Sequence, residues 1–181
     1  MEQTIWARTI LELYRYIDKA IVLLDSAVEK LSLRADLSAT DITNRLLNLT
    51  ERKISLINLK LIVEKVLASC NTKNLRVLSL KYIQGLKIDE IAEHMNTCRR
   101  TVFRLLNGAI DQFVSNMLNL GFCSNYLYKH LKTEKWILSQ YGKEYLKIQQ
   151  KEKQRFIKLE FENQDMYYIN YAFNQFRKSL S

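Results

Sequence analysis

Residues 71–111 read NTKNLRVLSLKYIQGLKIDEIAEHMNTCRRTVFRLLNGAID, and their spacing predicts three short helices arranged as a helix-turn-helix. In the first, Leu75, Leu78 and Tyr82 share a face that stops at Gly85, a residue suited to the left-handed conformation just past a helix end. The second runs from about Ile88 to Met95, with Ile88, Ile91, Ala92 and Met95 on one side. Asp89 and Glu90 fall in its first turn, where carboxylates complement the helix dipole. Asn96-Thr97-Cys98 follows as a three-residue connection, and asparagine tolerates positive φ second only to glycine. The third helix begins near Cys98 and turns Val102, Leu105, Leu106 and Ala109 inward.

On the outer side of that third helix stand Arg99, Arg100, Arg104 and Asn107. Three arginines on the first two turns of an exposed helix after a tight turn fit a recognition helix in the DNA major groove. The planar guanidinium fork pairs bidentately with guanine O6 and N7, or clamps a phosphate. The bland alternative is a solvated charged face. Arginines alone would favour it, but the short second helix, the turn and the inward spacing all agree with a DNA reader. Arg76, Lys81 and Lys87 are the accompanying candidates for phosphate contacts.

Leu75-Arg76-Val77-Leu78 through Tyr82-Ile83-Gln84-Gly85 resembles the opening of region 4 in sigma-70-type factors. Ile88-Asp89-Glu90-Ile91-Ala92 continues the likeness, followed by Arg99-Arg100-Thr101-Val102-Phe103-Arg104. The closer resemblance is to ArpU/RinA-type phage transcriptional regulators, which join a helical N-terminal half to such a helix-turn-helix. That resemblance implies DNA binding near promoters and control of phage or prophage genes. It would set Arg99, Arg100 and Arg104 at base edges, with Thr101 and Phe103 nearer the backbone. Lys87 and Cys98 depart from it, occupying positions where a Ser or Thr N-cap, worth about 1 kcal/mol, is usual. It is close over residues 71–111, general in pattern over the preceding seventy, and does not reach residues 121–181.

The composition agrees with helices. The chain of 181 residues has 48% apolar residues, four glycines and no proline, so long uninterrupted helices and an all-α fold are expected. Its net charge of +9 divides as +1 over residues 1–70, +3 over 71–120 and +5 over 121–181. The excess thus lies in the proposed reader and the tail, as suits a polyanionic partner. Cys70, Cys98 and Cys123 form no CxxC pair and no disulfide framework, which fits a reducing cytoplasm. His94 and Cys98 stand at the spacing of a metal pair, but a helix boundary separates them and only His130 remains as a further imidazole, so no metal or other cofactor is expected. No signal peptide and no membrane-spanning run is apparent.

Ahead of the reader, Ile10, Ile17, Leu24 and Leu31 repeat at seven residues, and Leu13, Ala20 and Ala27 mark the second seam position. Tyr14, Ile21 and Val28 widen the stripe, so this helix is expected to pack against at least two partners. Ser38 to Asp41 offers caps for a restart, and a second helix is expected over 42–69 with Leu49, Leu56, Leu59, Val63 and Val66 inward and Leu46 and Leu67 flanking. Residues 1–70 therefore read as a helical hairpin. Its leftover apolar surface could close a homodimer through residues 10–69, or be used up within one chain.

Residues 121–181 mix lysine with aromatics, and Gly142 is a place where the helical run could dent or break. Leu159, Met166, Ile169, Phe173, Phe176 and Leu180 recur at helical spacing, with a strand hairpin over 157–165 as the competing reading. Aromatics with lysine can stack on single-stranded bases, but a stripe at helical period is more often core. The tail could also dock RNA polymerase or another partner.

The leading function from sequence is a sequence-specific DNA-binding transcriptional regulator. Two alternatives use the same elements: a structural DNA-recognition subunit such as a phage packaging adaptor, and a protein-interaction scaffold whose helix-turn-helix no longer binds DNA. An enzyme is not expected, since the chain has no glycine-rich phosphate loop, no paired metal-ligand motif and no supported Ser/His/Asp arrangement. A complete sigma factor is also disfavoured, because the module is central instead of C-terminal.

Overall fold

A computed structural model describes residues 1–34 and 36–154. These residues are helical with short connections, and none of them lies in a strand, so the fold is all-α. The elements are α1 (Glu2–Ser32), α2 (Ala39–Ala68), α3 (Thr72–Leu78), α4 (Ile88–His94), α5 (Arg99–Asn119) and α6 (Ser124–Leu131). A single π-helical turn, Ser79–Ile83, continues α3. Met1–Tyr141 form one compact unit, closed by helical residues 135–141.

The two long helices pair antiparallel. The α1 seam buries Ile10, Leu13, Ile17, Leu24 and Leu31, and α2 answers with Leu56, Leu59, Ile62, Val63, Val66 and Leu67. Polar partners step along the edge of this hairpin in register. Tyr14 donates to Glu64 at 2.8 Å, Lys60 reaches Asp18 at 2.6 Å and Lys53 reaches Asp25 at 2.5 Å. Ser38 starts α2 as its N-cap, its hydroxyl accepting from the Asp41 N–H at 3.1 Å.

The wide apolar stripe of α1 is explained by its other contacts. Besides α2, it packs on α5, on the π turn and on α6, so one core runs from the hairpin into the helix-turn-helix. Trp6 and Phe113 are its largest fully buried side chains. At its N-terminal end, Gln3 donates to the Phe122 carbonyl at 2.8 Å and accepts from the Ser124 hydroxyl at 2.7 Å, tying α1 to the α5–α6 turn.

One charge is enclosed beside this core. Glu134, fully buried after α6, accepts from Arg52 at 2.6 and 3.1 Å and from the Trp136 indole at 2.9 Å. Taking one partner from a buried pair strands the other charge. Arg52→Ala should therefore lower stability in urea denaturation by about 3 kcal/mol, the low end of the usual range, because a third of the Arg52 side chain meets solvent. A loss under about 0.5 kcal/mol would mean that water replaces the guanidinium freely.

A second unit begins at Gly142. Its described residues, 142–154, are helical, so Gly142 does not break the run. Lys147 pairs with Glu144 at 2.6 Å there. The alternatives of an amphipathic helix and a strand hairpin after residue 155 lie outside the described residues.

Candidate nucleic-acid interface

The turn between α4 and α5 sets the angle at which α5 leaves the body. Asn96 takes φ +48°, the one non-glycine residue with positive φ among those described. Around it the Asn96 N–H bonds the Glu93 carbonyl at 3.0 Å and the Thr97 N–H bonds the Ala92 carbonyl at 2.9 Å. That pair of bonds is the Schellman closure of a helix end, satisfying carbonyls that α4 would otherwise leave open. Gly85 likewise takes positive φ, +76°, where the preceding helix ends, with the Arg15 guanidinium of α1 lying where a β-carbon would stand. A side chain at position 85 would meet both the strained backbone and that guanidinium.

The two missing N-caps are real, and the first is compensated. Lys87 stands at the N-cap of α4, and a lysine side chain offers no acceptor. Glu90 supplies the reciprocal half of a capping box instead, its carboxylate accepting from the Lys87 N–H at 2.6 Å. Cys98 stands at the N-cap of α5, where its thiol shares a 3.3 Å hydrogen bond with the Thr101 hydroxyl. That bond draws the Cys98 thiol below its ordinary pKa. Cys70, by contrast, is pushed up by burial.

From this start α5 buries Val102, Leu106, Ala109, Ile110, Phe113 and Met117, with Leu105 half-buried. Arg100, Phe103, Arg104, Asn107 and Asp111 are exposed on the opposite side. Arg100, Arg104, Asn107 and Asp111 follow one another at steps of four, three and four, which aligns them as a single stripe along the helix. Arg99 is exposed as well, but its Nε pairs with Asp89 of α4 at 2.9 Å. Both partners are mostly in solvent, and such pairs are worth about 0–1 kcal/mol, so Arg99 can exchange the carboxylate for a phosphate at little cost.

The remaining expected contacts are spread over the neighbouring elements. Thr101 is half-buried and occupied by Cys98. Arg76, on α3, donates to the His94 carbonyl at 3.2 Å and so braces the end of α4 while staying exposed. Lys81 lies half-buried in the π turn, and Lys87 is exposed where α4 begins. Two features were missed in the sequence. The Arg99–Asp89 pair needs the turn geometry to bring residues ten apart together, and Asp111 joins the stripe only once α5 is known to run on to Asn119.

The arrangement can hold a polyanion along the outer face of α5, with Asp111 marking where that face stops attracting phosphates. Among the described residues there is no group of three or more His, Cys, Asp or Glu placed to hold a metal, and no helix is long and apolar enough to cross a membrane.

The family model described as ECF sigma factor matches residues 28–117, just under half of the chain. The match runs from the last turn of α1 through α2 and the helix-turn-helix into α5. It is consistent with a sigma-70 region 4-like domain, and with it a DNA-binding regulatory role. No curated protein and no solved structure matches the chain.

Proposed function

With the sigma-factor likeness of residues 28–117 as premise, we propose that this chain is a sequence-specific DNA-binding transcriptional regulator of the ArpU/RinA phage type. One observation carries the reading: α5 leaves a capped turn with its apolar face buried and Arg100, Arg104 and Asn107 outward. In this mechanism α5 enters a major groove. Arg99, Arg100 and Arg104 read base edges or clamp the groove wall, Asn107 follows them along it, and Arg76, Lys81 and Lys87 meet phosphates. Binding is the whole task, with no chemical step. The sigma likeness supports RNA polymerase as a second partner.

A homodimer belongs to the same proposal. Leu47, Ile54, Ile57 and Leu61 are exposed on α2, at seven-, three- and four-residue steps and opposite its buried stripe. A second copy covering that seam would give the half-site spacing that two-fold regulators use.

Selection of bound sequences from random duplex DNA tests the mechanism. Arg104→Ala should bind the selected site less tightly by about 1–3 kcal/mol and lose preference at one base position. Lys87→Ala should weaken every sequence alike. An Arg104→Ala variant with the wild-type preference at all positions would remove Arg104 from base reading.

A further inference from the structure

We infer that Phe103 is a specificity-determining residue of the recognition helix and that it reads the C5-methyl group of a thymine. The inference rests on the DNA-binding reading and departs from the backbone role that resemblance alone implies for this residue. Phe103 is 51% exposed, and it is the one large apolar side chain left exposed on the first three turns of α5 among the described residues. It takes no part in the hydrophobic core, which α5 meets with Val102, Leu106, Ala109 and Ile110.

Its neighbours decide what it can meet. On a helix the residues that flank position 103 lie three and four positions away, and these are Arg99, Arg100 and Asn107, with Leu106 turned into the core. An apolar protein partner needs a contiguous apolar patch, and Phe103 has cations and an amide around it instead. The setting matches a surface that is polyanionic at its edges and carries an isolated apolar group inside. The major groove of a duplex is such a surface, because thymine alone among the four bases presents a methyl group there. With Arg99 and Arg100 on either side directed at phosphate or guanine, the ring comes down on the base between them. Burying one methyl against it is worth about fourfold in affinity.

Deoxyuridine provides the test, since it differs from thymine only by that methyl. The full-length protein is first used to select its preferred duplex, and each thymine of that duplex is then replaced in turn. The wild-type protein should lose about fourfold at one thymine per half-site and little elsewhere. Phe103→Ala should bind the thymine duplex as weakly as the wild type binds the uracil one, and should be indifferent to the replacement at that position. Phe103→Leu, which restores an apolar contact, should recover part of the sensitivity. The thermal melt of both variants should match the wild type, because the ring is on the surface. Wild-type protein that tolerates uracil at every position overturns the assignment, and so does a Phe103→Ala variant that keeps the full loss. Either result would leave sequence-specific binding standing; failure to select any duplex at all would instead remove the DNA-binding reading, and this assignment with it.

Discussion

Trp6→Ala is expected to cost about 3–5 kcal/mol, the largest stability loss of any substitution considered. Trp6 is 2% exposed, and its ring sits 4.6 Å from that of Tyr141 in the same core as Ile10, Val77, Ala109 and Phe113. Truncation removes the ring's transfer energy and leaves a hole bordered by several helices, none of which can collapse into it alone. Folded domains hold a margin of about 5–15 kcal/mol, so the variant keeps a folded population with much of its margin gone. Thermal melting should fall by roughly 10 °C. Because Arg100, Arg104 and Asn107 stand on the face of α5 turned away from that core, the site itself should be intact well below that melt and bind DNA as before. A loss below about 1 kcal/mol would mean that Trp6 does not fill the core.

Much of the fold was legible because its signals are local. Zero proline and four glycines point to helices, and the seven-residue repeats in α1 and α2 identify the faces that pack. Gly85 and Asn96 stop their helices where positive φ requires residues without, or tolerant of, that strain. The absent caps at Lys87 and Cys98 were visible from the residue types, and the structure adds how Glu90 compensates at the first.

What was not legible depends on groups distant in sequence. The π turn of Ser79–Ile83, which buries Leu80 and Tyr82, has no marker residue in the sequence. The Arg52–Glu134 pair joins α2 to the connection after α6, which no periodicity links. The second apolar face of α2 was hidden inside the first, as Leu47, Ile54 and Leu61 interleave with Leu49, Leu56 and Val63. The sigma likeness was read from Leu75 onward, whereas the family match reaches back to Val28, across helices whose sequence signal is generic amphipathicity. At the site, spacing identified the arginines on α5 as outward, but Arg99's engagement with Asp89 and the isolation of Phe103 needed three dimensions.

The central claim is that the outer face of α5 binds duplex DNA, and removing Arg99, Arg100 and Arg104 together addresses it most directly. All three are exposed and none supports the core, so the triple alanine variant should match the wild type in circular dichroism and thermal melt. Its affinity for the selected duplex should fall at least on the order of 100-fold, since each such arginine is worth about 1–3 kcal/mol. The salt dependence should flatten too, by about 0.9 in the slope of log affinity against log salt for each phosphate that the variant no longer neutralises. Affinity measured across a salt series for the two proteins therefore reads both quantities at once. A folded triple variant with a weaker, flatter response is the predicted result; one that binds with the wild-type affinity and slope would contradict it.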